Sequence, residues 1–170
     1  NNWSWKFTDL PKYKDAGTEI EYTITEDAVE NYMTVVDGYN VTNMHIPATI
    51  NISGGKHWDD ANNQDGKRPE SVMVQLYANG HPQSDPVELN AGNNWSYKWE
   101  KLPDKENGEL IAYTVRELQR NEDGSMTPVD DGAEITYLVN DENVTYKVGY
   151  SNTDNAWTIS NTHTPETIDI

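Results

Sequence analysis

The sequence predicts an all-β fold built from tandem β-sandwich modules, and three observations carry that prediction. Apolar and polar residues alternate over short runs, as in strands with one buried face, and no helical periodicity competes. Turns rich in Gly, Asn, Asp and Pro separate these runs: NNQDGKRP, NGHPQSDP, AGNN, LPDKENG and NEDG. The chain also repeats itself. NNWSWKFTDLPKYKDAGTEIEYTITE (1–26) aligns with NNWSYKWEKLPDKENGELIAYTVRE (93–117) across a single one-residue gap, and YNVTNMHIPATINI (39–52) aligns with WTISNTHTPETIDI (157–170) without one. Self-similarity of this kind is the mark of tandem modules.

The alignment sets the boundaries. Residues 48–165 form one complete module, opening after Pro47 and closing at Pro165. Residues 1–47 correspond to the later part of a preceding module, whose first strands are expected to lie outside this chain. ETIDI (166–170) aligns with ATINI (48–52), so it reads as the start of a next repeat or a tail. Within the complete module the strands are expected at 48–58, 71–78, 94–99, 110–117, 134–139, 143–150 and 156–161. About seven short strands with polar turns suit a β-sandwich. Glu117 and Asn161 are separated by 27 more residues than Glu26 and Asn43, room for an added hairpin, and ITYLVNDENVTYKV fits one turning at Asn140–Asn143.

Composition excludes several functions. The 170 residues carry 12 Lys plus Arg against 29 Asp plus Glu, a net charge of −17, which repels nucleic acid and anionic membranes. The acidic residues are dispersed, as on a solvated surface. With no cysteine there is no disulfide, thiolate metal site or cysteine nucleophile. No apolar run reaches the ~18 residues of a membrane span, and no signal peptide opens the chain. If the protein is exported, these are internal residues of a longer precursor. Ten Tyr and six Trp are ample for hydrophobic cores.

Three polar side chains fall on apolar strand faces. Lys56 shares a face with Ile50, Ile52 and Trp58, Glu117 with Ile111, Tyr113 and Val115, and Asn161 with Trp157 and Ile159. Burying such groups unpaired costs roughly 2–7 kcal/mol for an amide and more for a charge, so they are expected to meet. The internal repeat doubles the pattern: Glu26 aligns with Glu117 and Asn43 with Asn161, again on apolar faces with Ile20, Tyr22 and Ile24, and with Tyr39 and Val41. Register alone leaves other readings open. Lys56 could snorkel to an edge, Glu117 could end its strand in solvent, and Asn161 could bond only to backbone. A buried, non-covalent Lys–Glu–Asn network is the stronger of these alternatives.

The run KHWDDANNQDGKRPESVMVQLYANG, followed by NNWSYKWEKLP, IAYTVRE and ISNTHTP, resembles the B-type repeat of Gram-positive collagen adhesins and pilins, the Cna B-type domain. The resemblance covers the whole chain, as one full repeat and part of another. It implies a reversed-immunoglobulin-like sandwich with a spontaneous Lys–Asn isopeptide bond promoted by a nearby carboxylic acid. On this basis Lys56 is the amine donor, Asn161 the acceptor and Glu117 the promoting acid. Glu26 and Asn43 would be acid and acceptor in the first module, whose counterpart of Lys56 is expected to lie outside this chain.

The chemistry suits those roles. Burial favours a lysine's uncharged, nucleophilic amine. A neutral Glu117 acid would hydrogen-bond the Asn161 carbonyl and pass protons to departing ammonia. Orientation in a core can supply about 7–11 kcal/mol, and Trp58 and Tyr113 would keep water out. Such a protein turns over once, on itself, and is not an enzyme; no cofactor is expected. The resulting expectation is a stalk segment on a bacterial cell surface or cell wall, flanked by neighbouring repeats. Two rivals remain: a sandwich binding carbohydrate or host matrix, and a first module completed in trans by a lysine-bearing strand of another chain.

Other signals are weaker. In DANNQDGKRP, placing Gly66 sixth in a calcium loop puts Val72 at the twelfth position, where a Glu is needed, so a turn is expected instead. His45 and His163 follow the acceptor asparagines singly, which makes no metal site. LPKYK and LPDKE are not LPxTG sorting signals. Trp3, Trp5, Trp95 and Trp99 could form a sugar platform, but Trp3 with Trp5 and Trp95 with Trp99 share a face, which favours core packing.

Overall fold

In a computed structural model that describes residues 2–170, the chain divides after Pro47 into two units. The first holds two small antiparallel pairs: β1 (Tyr13–Lys14) with β2 (Thr18–Glu19), and β3 (Tyr32–Asp37) with β4 (Asn40–His45).

The second unit contains β5 (Thr49–Asp59), β6 (Ser71–Ala78), β7 (His81–Pro82), β8 (Val87–Asn90), β9 (Ser96–Pro103), β10 (Lys105–Glu106), β11 (Glu109–Leu110), β12 (Tyr113–Arg120), β13 (Met126–Pro128), β14 (Glu134–Val139), β15 (Glu142–Thr153) and β16 (Ala156–Thr162). One sheet runs β14-β15-β16-β5-β9. The other runs β13-β12-β6-β7, with β8 also paired to β6. Every pairing is antiparallel except β5 with β16, the first and last strands, which run parallel side by side. Ile52, Val74, Leu76, Leu89, Val115, Ile135, Tyr146 and Ile159 are buried together as the core. The alternation seen in the sequence places them there, since Ile52 and Gly54 on β5, and Val72, Val74 and Leu76 on β6, are buried at every second position.

Local chemistry fixes the turns. The added hairpin β14–β15 closes through Asn140 and Asp141 at φ 51° and 65°, and β15–β16 through Asp154 and Asn155 at φ 51° and 66°. Two successive positive φ values define the hairpin turn whose twist matches the strands, and Asn, Asp and Gly adopt them most readily. On β5, Gly54 meets a different demand. A Cβ there would stand 3.3 Å from ring carbon Cζ3 of Trp99 and from Cγ1 of Val115.

Several boundaries differ from the sequence expectation. LPDKENG is more than a turn, because β10 within it pairs with β11 just after it, so the strand expected at 110–117 forms at 113–120. Glu117 therefore lies inside its strand, opposite Val74, rather than at its end. The strand expected at 94–99 runs from 96 to 103, because Asn94 and Trp95 take positive φ to leave a short 3-10 turn. Residues 166–170 join no ladder, and Ile168 and Ile170 are exposed. ATINI enters β5 because β9 lies beside it (Ile50 opposite Leu102); ETIDI has no such neighbour among the described residues.

In the first unit the segment from 20 to 26 also joins no ladder, although Ile20, Tyr22 and Ile24 are half-buried. Its counterpart β12 is paired with β6, and residues 1–47 contain nothing that aligns with β6. No described residue of this unit is buried. Trp3 and Trp5 are 96% and 54% exposed, against the expectation of core packing, whereas Trp99 is buried and Trp95 packs on the core of its own unit.

Candidate functional site

The register of β5 and β16 aims two side chains into the space between the sheets. Lys56 lies opposite Ile159, and Asn161 opposite Trp58, so Lys56 and Asn161 are two residues apart along adjacent strands on the same inward face. Glu117 enters from β12 in the facing sheet. The Lys56 Nζ donates to Glu117 Oε2 at 2.6 Å, and both side chains are fully buried. Asn161 is buried too, and its Nδ2 donates to Glu117 Oε1 at 3.4 Å. Lys56, Glu117 and Asn161 therefore occupy one place.

A fourth residue, which sequence reasoning did not single out, completes the cluster. The Tyr137 hydroxyl donates to Glu117 Oε1 and accepts from Asn161 Nδ2 at 2.7 Å. Tyr137 is on β14, between Ile135 and Val139 on its face, in the hairpin that the first unit lacks. Asn161 Oδ1 has no hydrogen-bond partner among the described residues. A buried acceptor left unpaired costs about 1–3 kcal/mol.

The surroundings are aromatic and closed. The Trp58 ring centre lies 4.6 Å from Lys56 Nζ, and Trp95, Tyr137 and Tyr146 meet that ring edge-on. Burial lowers the Lys56 pKa to about 8, against the opposing pull of Glu117 towards the charged form. Burial also raises the pKa of Tyr137, with Glu117 adding to the effect, so its hydroxyl keeps its proton. Tyr150 steadies Glu117 from behind: the Glu117 backbone N–H donates to the Tyr150 hydroxyl at 3.0 Å, which itself donates to Val129 O at 2.8 Å.

At the end of β5, Asp60 is buried and takes a two-pronged bond from Arg68, Nη2 to Oδ1 at 2.6 Å and Nε to Oδ2 at 2.9 Å. Arg68 holds the Asp60 carboxyl below its usual pKa. Its guanidinium carbon lies 5.5 Å from the centre of the Trp58 ring. The loop DANNQDGKRP thus joins β5 to β6 and caps this aromatic cluster. His163 contacts Asp65 at 3.2 Å, and no group of three or more His, Asp or Glu able to hold a metal occurs among the described residues.

The first unit brings Glu26 and Asn43 together in the open. Asn43 Nδ2 donates to Glu26 Oε1 at 3.1 Å. The Thr34 hydroxyl contacts Glu26 Oε2 at 3.1 Å and donates to Asn43 Oδ1 at 2.7 Å. Glu26 also lines an apolar groove of about 920 Å³ with Trp3, Trp5, Phe7, Tyr22 and Tyr39.

A two-sheet, all-β module that recurs along its chain and closes its first strand against its last defines a structural repeat of the reversed-immunoglobulin-like kind. The sequence profile of the Cna protein B-type domain matches residues 1–44 and 52–129; the chain belongs to this family. It is 45% identical over 130 residues to a collagen adhesin of Staphylococcus aureus, an alignment that covers 76% of this chain and 11% of that protein. Among solved structures it is similar to a single B repeat unit (B1) of the S. aureus collagen-binding protein, with 37% identity and a TM-score of 0.53 over 96% of this chain and 76% of that one. It is likewise similar to two B repeat units (B1B2) of the same protein, with 36% identity and a TM-score of 0.52 over 95% of this chain and 37% of that one.

Proposed function

We propose that this chain is a stalk segment of a bacterial surface adhesin or pilin-like protein, and that an intramolecular isopeptide bond between Lys56 and Asn161, promoted by Glu117, stabilises its complete repeat, residues 48–165. The reading is supported above all by one observation: in a core closed to water, one carboxyl group, Glu117, contacts both the Lys56 amine and the Asn161 carboxamide. An amine with a lowered pKa is a competent nucleophile. A carboxyl group touching both partners can move protons between them. The 45% identity to a collagen adhesin supports the setting at the cell surface.

The consequence is mechanical. The bond would join β5 to β16, 105 positions apart (161 − 56), across the parallel pair through which a pull on both ends of the module passes. By loop entropy it would add about 4–5 kcal/mol, and the joined strands could not slide apart under load. Intact mass tests the reading. The folded protein should lack the mass of one ammonia, and Lys56→Ala should restore it. An uncorrected mass in the unaltered chain refutes the bond and leaves a buried polar network.

A second reading concerns residues 1–47, taken as the later part of a repeat. Glu26 and Asn43 already touch, beside an open apolar groove. A lysine-bearing strand, from a preceding segment or another chain, would complete that repeat and be joined to Asn43. A peptide matching residues 48–79 offers the missing strands and Lys56. Gain of a covalent adduct that Asn43→Ala abolishes would support this second bond.

A further inference from the structure

We propose that Tyr137 is a catalytic residue of the Lys56–Asn161 ligation, its phenol joining Glu117 as the second hydrogen-bond donor to the carboxamide oxygen while negative charge builds there. The inference rests on the isopeptide reading and adds a residue to it. Tyr137 touches the reacting group itself: its hydroxyl lies 2.7 Å from Asn161 Nδ2 and also donates to Glu117 Oε1. One end of the carboxamide is thus flanked by both a phenol and a carboxyl group, while the other end, Oδ1, is buried without a partner. A half-turn of the carboxamide exchanges its oxygen and nitrogen with almost no change of shape. It would bring Oδ1 to the place between Tyr137 and Glu117, where each, in its neutral form, has a proton to donate, and the orphaned acceptor would be satisfied.

In the first unit a hydroxyl already meets the carboxamide oxygen, while the acid faces the nitrogen. There Thr34 supplies the hydroxyl, which donates to Asn43 Oδ1 at 2.7 Å and contacts Glu26 at 3.1 Å, while Asn43 Nδ2 faces Glu26. The two hydroxyls come from different places in the repeat, Thr34 from the strand beside Asn43 and Tyr137 from the added hairpin. Both units therefore place a hydroxyl against the acid and the carboxamide. Burial raises the pKa of Tyr137, so its hydroxyl keeps its proton as a donor.

Lys56 passes one proton to Glu117, giving an amine and a neutral acid. Nζ attacks Asn161 Cγ, a C–N bond forms, and the carbonyl π pair moves onto Oδ1, held by Tyr137 and Glu117. Glu117 gives its proton to Nδ2 and takes one from Nζ. The carbonyl reforms, the Cγ–Nδ2 bond breaks, and ammonia leaves. Tyr137 keeps its proton throughout.

The test follows loss of ammonia by intact mass in a pulse–chase of freshly translated chains, comparing the unaltered protein, Tyr137→Phe and a chain with fluorotyrosine at position 137. Removing one donor to an oxyanion costs between about 100- and 1000-fold in rate, so Tyr137→Phe is expected to slow by that order. Fluorotyrosine, a stronger donor of nearly the same shape, is expected to react at least as fast as tyrosine. In the Lys56→Ala background, adding Tyr137→Phe should leave Tm within a few degrees, which separates the rate effect from a packing effect. An unaltered chain that never loses ammonia overturns the isopeptide reading and this one with it. An unaltered chain that loses it, with a Phe variant reacting at the same rate, overturns the role of Tyr137 alone. If the Phe variant does not fold, a fluorotyrosine chain slower than the unaltered one overturns it.

Discussion

Lys56 Nζ and Glu117 Oε2 lie 2.6 Å apart in the core between two β-sheets, with neither side chain exposed to solvent. Each charge is tolerated there because the other is present. Removing one partner of such a pair typically costs about 3–5 kcal/mol, whereas replacing both with apolar residues of similar volume is often neutral. In a chain that cannot cross-link, Asn161→Ala, adding Glu117→Leu should therefore lose that much stability in denaturant titration, and adding Lys56→Met to it should recover most of the loss. If the chain with both additions is no more stable than the one with Glu117→Leu alone, the charges are not paired in the folded protein.

Stability should also carry the signature of Lys56 titration. Its pKa falls from the ordinary 10.5 to about 8, chiefly through burial. Between these pH values the unfolded chain holds a proton at this position that the folded chain has begun to release. Stability rises with pH wherever the unfolded state binds more protons. In a chain that cannot cross-link, Asn161→Ala, the stability difference from its Lys56→Met derivative should climb by up to roughly 3 kcal/mol between pH 8 and 10.5, and stay level below pH 8. A difference that falls as pH rises would show that the charged form is the one favoured by folding.

Gly54 offers a test of packing close to the site. A methyl group there would press on Trp99 and Val115, each 3.3 Å from the position of an added Cβ. Overfilling a packed core costs typically 1–3 kcal/mol, so Gly54→Ala should lower stability by about that much, while Gly66→Ala should act through backbone strain alone, because a Cβ there meets open space at φ 66°. Tm measurements on both variants check this; crystallography of Gly54→Ala should find the Trp99 ring displaced.

The parts legible in the sequence are those governed by a two-residue period. Lys56, Glu117 and Asn161 could be assigned to inward faces by counting alternate residues on β5, β12 and β16, and the Asn140–Asp141 turn is written in its residue types. Ladders between distant segments were not legible. Glu26 sits in the same local pattern as Glu117, yet only Glu117 lies in a ladder, because β6 pairs with β12 and, among the described residues, no such strand stands beside residues 20–26. Tyr137 escaped notice for another reason. A tyrosine between Ile135 and Val139 looks like ordinary core, and its role follows from where its hydroxyl ends, 2.7 Å from Asn161. In the sequence Asp60 and Arg68 are only parts of a polar turn, since their pairing closes over eight residues of loop.

The contrast between the units sets the last expectation. The second unit buries a continuous core with Val74, Leu76, Leu89, Val115 and Ile159 at 0% exposure. The first buries no described residue, and Tyr32, Met33, Val35, Val36 and Met44 on β3 and β4 are all exposed. An isolated two-stranded hairpin is marginally stable at best in water, and backbone hydrogen bonds without buried apolar contacts open easily. In hydrogen exchange, amides of β3 and β4 should therefore exchange within the earliest time points, while those of β5, β12 and β16 exchange only through global unfolding. Adding a peptide that matches residues 48–79 should slow exchange in β3 and β4 if it supplies strands for this unit to pair with. Protection of β3 and β4 equal to that of β16 in the free chain would mean that residues 1–47 are already a self-sufficient fold.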